Sequence, residues 1–73
     1  MADRLTRREQ EVSALVATGR TNAQIAAVLG VSPTTTKWQV SEILRKLGFT
    51  SRVQLAVYAR DHGLTVDPPP ASD

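Results

Sequence analysis

Residues 21–48 are TNAQIAAVLGVSPTTTKWQVSEILRKLG, and this stretch decides the fold. Thr21 followed three residues later by Gln24 is a capping-box pattern, which predicts a short helix over residues 22–29. Gly30 is expected to end that helix, because glycine readily takes the left-handed conformation common just after a helix.

A second, longer helix follows almost at once. Ser32 is a favourable N-cap, and Pro33 suits the first helical position, where no backbone N–H is needed. The second helix is therefore predicted over residues 33–47. Two helices joined by so short a turn must cross at a steep angle, which is the geometry of a helix-turn-helix.

The helix over residues 33–47 has two distinct sides at about 100° per residue. The side predicted to face the core carries Thr36, Val40, Ile43 and Leu47. The opposite side carries Thr34, Trp38, Ser41 and Arg45, flanked by Lys37 and Glu42. An indole in the middle of that side is not expected to fill the domain's own core. One interpretation is that the indole packs on a neighbouring chain or simply lies on the surface. The other is that this side of the helix contacts the edges of nucleic-acid bases.

Two more capping boxes lie outside this stretch, Thr6 with Glu9 and Ser51 with Gln54. Each precedes a helical pattern that a glycine closes, and no segment alternates with period two. The sequence therefore predicts an all-α fold, a four-helix bundle with a central helix-turn-helix. Its helices are expected at about 7–18, 22–29, 33–47 and 52–62.

Composition limits the class of protein. The chain has 73 residues, no Cys and a formal net charge of +2, which predicts one small domain without disulfides. No apolar run is long enough for a membrane span, and cytoplasmic localisation is expected. Positive charge is concentrated in residues 33–52, where four basic residues stand against one acid. This is the charge distribution expected of a protein that binds a polyanion.

Catalytic and metal-binding patterns are weak. His62 is the only histidine and stands near the end of a predicted helix, where it favours the helix dipole. The glycines are isolated helix stops and do not form a phosphate-binding loop. The sequence predicts no enzyme, no cofactor, no metal site and no small-molecule ligand.

The last helix has a second apolar face, formed by Val53 and Val57 with Arg60 next in the row. Two interpretations remain open and are weighted equally. The valines are ordinary exposed residues, or they form a twofold-symmetric contact between two copies of the chain. The patch is small, so a homodimer of this domain alone is expected to be weak.

The motifs LTRREQEV and GRTNAQIAAVLGVSPTTTKWQVSEILRKLGFTSRVQLAVYA together resemble the DNA-binding domain of LuxR-type regulators, also called the GerE or FixJ type. The resemblance covers residues 5–64, leaving a leader at 1–4 and a Pro-rich, flexible tail at 65–73. It implies a bacterial transcription factor whose third helix enters the major groove and whose fourth helix mediates dimerisation. Such domains are usually fused to a regulatory domain.

Carried over by position, the resemblance assigns base contacts to Lys37, Trp38 and Ser41. It assigns phosphate contacts to Asn22, Thr34, Thr35 and Lys46. A dimer interface on the fourth helix would use the face already described, Val53, Val57 and Arg60. This chain departs from the common family pattern at Ala23, Thr36, Gln39 and Glu42. The hydroxyl of Thr36 would lie on the core side and is expected to need a partner such as a backbone carbonyl.

The function predicted is sequence-specific binding of double-stranded DNA for transcriptional regulation, as a dimer on inverted half-sites. Half-site centres are expected roughly 10 base pairs apart, or a multiple of that spacing. RNA polymerase is a further candidate partner. The alternative is a degenerate helix-turn-helix that serves as a protein–protein interaction module through the Trp38 side.

Overall fold

The computed structural model describes residues 5–64, so the predicted leader and tail lie outside the described residues. It contains the helices α1 (Arg7–Ala17), α2 (Asn22–Leu29), α3 (Pro33–Leu47) and α4 (Arg52–Asp61), and no strand among residues 5–64. The all-α prediction is confirmed. Helices α1 and α4 each end one residue earlier than predicted, because Thr18 and His62 are their C-caps.

The helix starts follow the local signals in the sequence. All three capping boxes form, with the N-cap hydroxyl accepting from the backbone N–H three residues on and the Glu or Gln side chain accepting from the N-cap N–H. At the start of α3, Ser32 accepts from the N–H of Thr35, and Pro33 occupies the first turn. These bonds satisfy backbone donors that a helix start otherwise leaves unpaired.

The turn between α2 and α3 depends on Gly30. Its φ of 74° lies in the left-handed region. The N–H groups of Gly30 and Val31 both donate to the carbonyl of Ala26, at 2.8 and 3.0 Å. This arrangement is a Schellman-type ending, and it turns the chain directly into the N-cap of α3.

The core lies where the four helices meet. Helix α1 packs mainly against α4, and α2 packs against α3, with further contacts between α1 and α3. The largest fully buried apolar side chains, one from each helix, are Leu15, Ile25, Ile43 and Leu55. The bundle therefore holds α3 by one side only.

Thr36 is a polar residue within this core. Its side chain is fully buried, and its Oγ1 has no hydrogen-bond partner. The expectation that a backbone carbonyl would satisfy the hydroxyl is wrong. The carbonyl of Ser32, one turn earlier, instead accepts the backbone N–H of Thr36.

Candidate nucleic-acid interface

Lys37, Trp38 and Ser41 form what we call the outer face of α3. All three are exposed, and Trp38 keeps 63% of its surface accessible. On the other side of the same helix, Val40 and Ile43 are buried. The predicted register of α3 is confirmed, and the structure brings the three expected base-contacting residues together within about one turn of helix.

An ion pair lies beside the outer face. Glu42 accepts from Arg45 through one carboxylate oxygen, at 2.8 Å from Nη2 and 3.2 Å from Nε. The acid that the sequence places beside the exposed side of α3 is thus paired within its own helix. Lys37 therefore supplies the positive charge on the outer face itself.

Two hydroxyls are exposed at the start of α3, those of Thr34 and Thr35. Ser32 Oγ accepts from the N–H of Thr35 at 3.1 Å and donates to Thr35 Oγ1 at 3.0 Å. Since Thr35 Oγ1 accepts the Ser32 proton, its own proton is directed elsewhere. Such a hydroxyl at a helix start is suited to a phosphate oxygen.

Asn22, the first residue of α2, is half-buried and bonded to α4. Its Oδ1 accepts from Nη1 of Arg52 at 2.6 Å, and Nη2 of Arg52 donates to the carbonyl of Arg20 at 2.6 Å. From the sequence, Arg52 is the first residue of a predicted helix and one of the four basic residues in 33–52, with no partner predicted for it. No local signal marks this contact, because Asn22 and Arg52 lie 30 residues apart.

Lys46 is held by an acid from another helix. Its Nζ lies 2.8 Å from Oε1 of Glu9, and both side chains are largely buried. Burial by itself raises the pKa of Glu9, but the bond from Lys46, the bonds from Thr6 and the charge of Lys46 outweigh it and hold that pKa below its usual value. The sequence predicts roles for Glu9 only at the start of its own helix, in the capping box and toward the helix dipole, and not a contact with another helix.

The three residues expected at a dimer interface lie together on the exposed side of α4. Val53 is 70% exposed and Val57 40% exposed, and Arg60 lies at the surface. Beside them runs a groove of about 660 Å³ between α1, α2 and α4, into which Val28 and Leu64 also face. The apolar surface is therefore wider than the two valines that the sequence indicated.

His62 takes part in local contacts only. Its Nδ1 lies 2.9 Å from the carbonyl of Tyr58, and the two rings are 4.0 Å apart. Residues 5–64 contain no cluster of His, Cys or acidic residues that could hold a metal ion. None of the helices in that range has the length and apolarity needed to cross a membrane.

The sequence of this chain matches a known protein family and several curated proteins. Residues 3–59 match the model of the GerE family, the luxR family of bacterial regulatory proteins. The chain is 38% identical over 63 residues to the transcriptional regulatory protein MctR of Rhizobium johnstonii, covering 86% of this chain and 29% of that protein. It is 44% identical over 59 residues to the transcriptional regulatory protein LiaR of Bacillus subtilis, covering 80% and 28%.

A third relative is the response regulator protein VraR of Staphylococcus aureus, 42% identical over 60 residues, covering 82% of this chain and 29% of that protein. The chain thus spans less than a third of the length of these curated relatives. The matched region includes the helix-turn-helix and the outer face of α3. This chain therefore belongs to the luxR family of bacterial regulatory proteins, as a helix-turn-helix domain for DNA-binding transcription regulation.

Proposed function

We propose that this chain binds specific sequences of double-stranded DNA in the bacterial cytoplasm by placing α3 in the major groove. The observation that carries the proposal is the outer face of α3, where Lys37, Trp38 and Ser41 are exposed while the opposite side is buried. A major groove about 12 Å wide admits one α-helix. A helix held by the bundle from one side only is suited to that fit.

Each residue of the outer face has a distinct role in the proposal. The Lys37 ammonium donates to O6 or N7 of a guanine, the base on which basic side chains most often make specific contacts in the groove. Ser41 both donates and accepts, so it tolerates several bases. Trp38 has one N–H donor and a broad apolar surface, which suits a thymine methyl group or a sugar.

Phosphate contacts are assigned to residues around the helix-turn-helix. Asn22 and the hydroxyls of Thr34 and Thr35 lie at helix starts, where backbone N–H groups also favour an anion. Lys46 is a more restricted contact, because one of its three donors is already bonded to Glu9. It reaches phosphate with its remaining donors.

We further propose that two copies pair through Val53, Val57 and Arg60. A twofold pair places two outer faces on inverted half-sites, spaced by about one helical turn of DNA. The exposed valines and the adjoining groove support this pairing. RNA polymerase is a further proposed partner.

The test begins with selection of bound duplexes from a randomised DNA pool by the purified chain, followed by sequencing. We expect one enriched half-site. Binding to that site can be followed by the fluorescence of Trp38, the only tryptophan in the chain. Lys37→Ala is then expected to weaken binding to the selected site by about 1–3 kcal/mol and to relax the preference at one base position.

The matched control is Arg8→Ala, which removes the same charge from an exposed pair with Glu11 on α1. It should leave the preferred sequence unchanged. If no duplex is enriched and Trp38 fluorescence does not respond to DNA, the proposal is wrong and the protein-interaction module gains support. If Lys37→Ala weakens all duplexes equally, Lys37 contacts phosphate and not a base.

A further inference from the structure

The guanidinium of Arg52 joins the start of α4 to the start of α2. Nη1 donates to Oδ1 of Asn22 and Nη2 donates to the carbonyl of Arg20, each at 2.6 Å. The two acceptors belong to the turn before α2 and to its first residue. One side chain therefore bonds to the residues on both sides of Thr21, the N-cap of α2.

This contact depends on the shape of the guanidinium group. Arginine presents several N–H donors in one rigid plane and can bind two acceptors side by side, whereas lysine presents a single flexible ammonium. Arg52 is also half-buried, which favours an ordered side chain. A side chain with the same charge but without the planar group, such as lysine, would not make both hydrogen bonds.

The bond also determines how the Asn22 amide is oriented. Guanidinium carries only donors, so the Asn22 atom that faces it must be the carbonyl oxygen. The NH2 group of the amide then lies on the side away from Arg52. Asn22 thus has its acceptor occupied within the domain and its two donors available for an acceptor such as a phosphate oxygen.

We propose that Arg52 is a positioning residue, which holds Asn22 so that the amide donors of Asn22 contact a DNA phosphate. This inference rests on the proposed function, in which α2 crosses the DNA backbone while α3 enters the groove. In this proposal Arg52 acts through Asn22: two of its five N–H donors bond within the protein, and the salt dependence of binding distinguishes this role from a direct phosphate contact by the other three.

The rival role, a direct phosphate contact by Arg52, differs in its salt dependence. Each phosphate neutralised by a cation contributes about −0.9 to the slope of log K against log salt concentration. A neutral amide displaces no counterion. Loss of a contact made through Asn22 therefore lowers affinity without changing the slope.

The experiment measures affinity for the selected duplex over a range of salt concentrations. Asn22→Ala and Arg52→Lys are each expected to weaken binding about ten- to a hundredfold, the effect of one hydrogen bond to a charged group. The double variant should be no weaker than either single variant, because both changes remove the same contact. Thermal unfolding of each variant shows whether the fold persists.

If Arg52→Lys proves unstable, Asn22→Asp tests the amide donors of Asn22 in a domain that stays folded. The carboxylate retains the acceptor for Arg52, so the folded domain should be at least as stable as the parent. It lacks the amide donors and carries a negative charge, so its DNA affinity should fall further than that of Asn22→Ala.

Arg52→Gln tests the direct contact, with Arg20→Gln as the matched control, since that change removes a nearby charge but keeps the backbone carbonyl. We expect both variants to show the same salt slope. A slope smaller by about 0.9 for Arg52→Gln alone would overturn the inference. So would full DNA affinity in Arg52→Lys, or additive losses in the double variant. Failure of the parent chain to bind any duplex would instead refute the proposed function.

Discussion

Thr36 shows most clearly how one residue limits the stability of this domain. Its hydroxyl is fully buried without a partner. Thr36→Val keeps the branched shape and removes the unsatisfied group. We expect the free energy of unfolding to rise by about 1 kcal/mol and the melting temperature by about 4–8 °C for a domain of this size.

The control for this prediction is Thr34→Val, which makes the same change at an exposed site on the same helix. Its stability should stay within about 0.5 kcal/mol of the parent. Chemical unfolding of both variants measures the difference. A loss of stability in Thr36→Val would show that the hydroxyl is satisfied in solution.

The buried and exposed residues of α3 could be predicted from its sequence. Periodicity places Val40 and Ile43 on one side and Trp38 and Ser41 on the other, and the structure agrees. The partner of a buried hydroxyl could not be predicted in this way. It depends on the position of individual carbonyls, which helical spacing alone does not determine.

At the scale of the helices, the pair between Glu9 and Lys46 ties the start of α1 to the end of α3. The pKa of Glu9 lies below its usual value in the folded protein. The stabilisation from this carboxylate is therefore complete at neutral pH and is lost as the pH falls through the lowered pKa. Glu9→Gln should remove the contribution of this carboxylate to the loss of stability at acidic pH.

Unfolding experiments between neutral and acidic pH test this prediction. At neutral pH, Glu9→Gln is expected to cost about 1 kcal/mol, and the difference from the parent should shrink as the pH falls. Glu11→Gln, in the exposed pair with Arg8, is the control and should change stability much less. An unchanged pH profile in Glu9→Gln would contradict the proposed tie between α1 and α3.

Helix starts were predictable, while the last residues of α1 and α4 and the contacts between helices were not. Each start is set by residues three positions apart, such as Ser51 with Gln54, and is therefore visible in the sequence. The bonds of Asn22 with Arg52 and of Glu9 with Lys46 join residues 30 and 37 positions apart. Only the packing of the bundle brings those residues together.

At the scale of the whole molecule, pairing of two copies should control binding to a complete operator. Val57→Asp places a charge in the centre of the exposed α4 patch. We expect binding to a duplex with two half-sites to weaken at least about tenfold, because two desolvated contacts are lost across a symmetric interface. Affinity for a single half-site should not change.

Val28→Asp is the matched control, because Val28 is also exposed and lies in the same groove but on α2. It should retain binding to two half-sites if α4 alone forms the contact. Gel-shift titration and sedimentation of the DNA complexes measure binding to the duplex with two half-sites and to the single half-site. Equal binding by Val57→Asp and the parent would exclude pairing through this patch.

The separation of the two sides of α3 has a consequence for how such domains diversify. Lys37, Trp38 and Ser41 are exposed, while the packing of α3 rests on the opposite side. Under the proposed function, we therefore expect substitutions at these three positions to change the preferred operator with little loss of stability. Duplicated copies of the domain would then acquire new target genes one residue at a time, without compensating changes elsewhere in the scaffold.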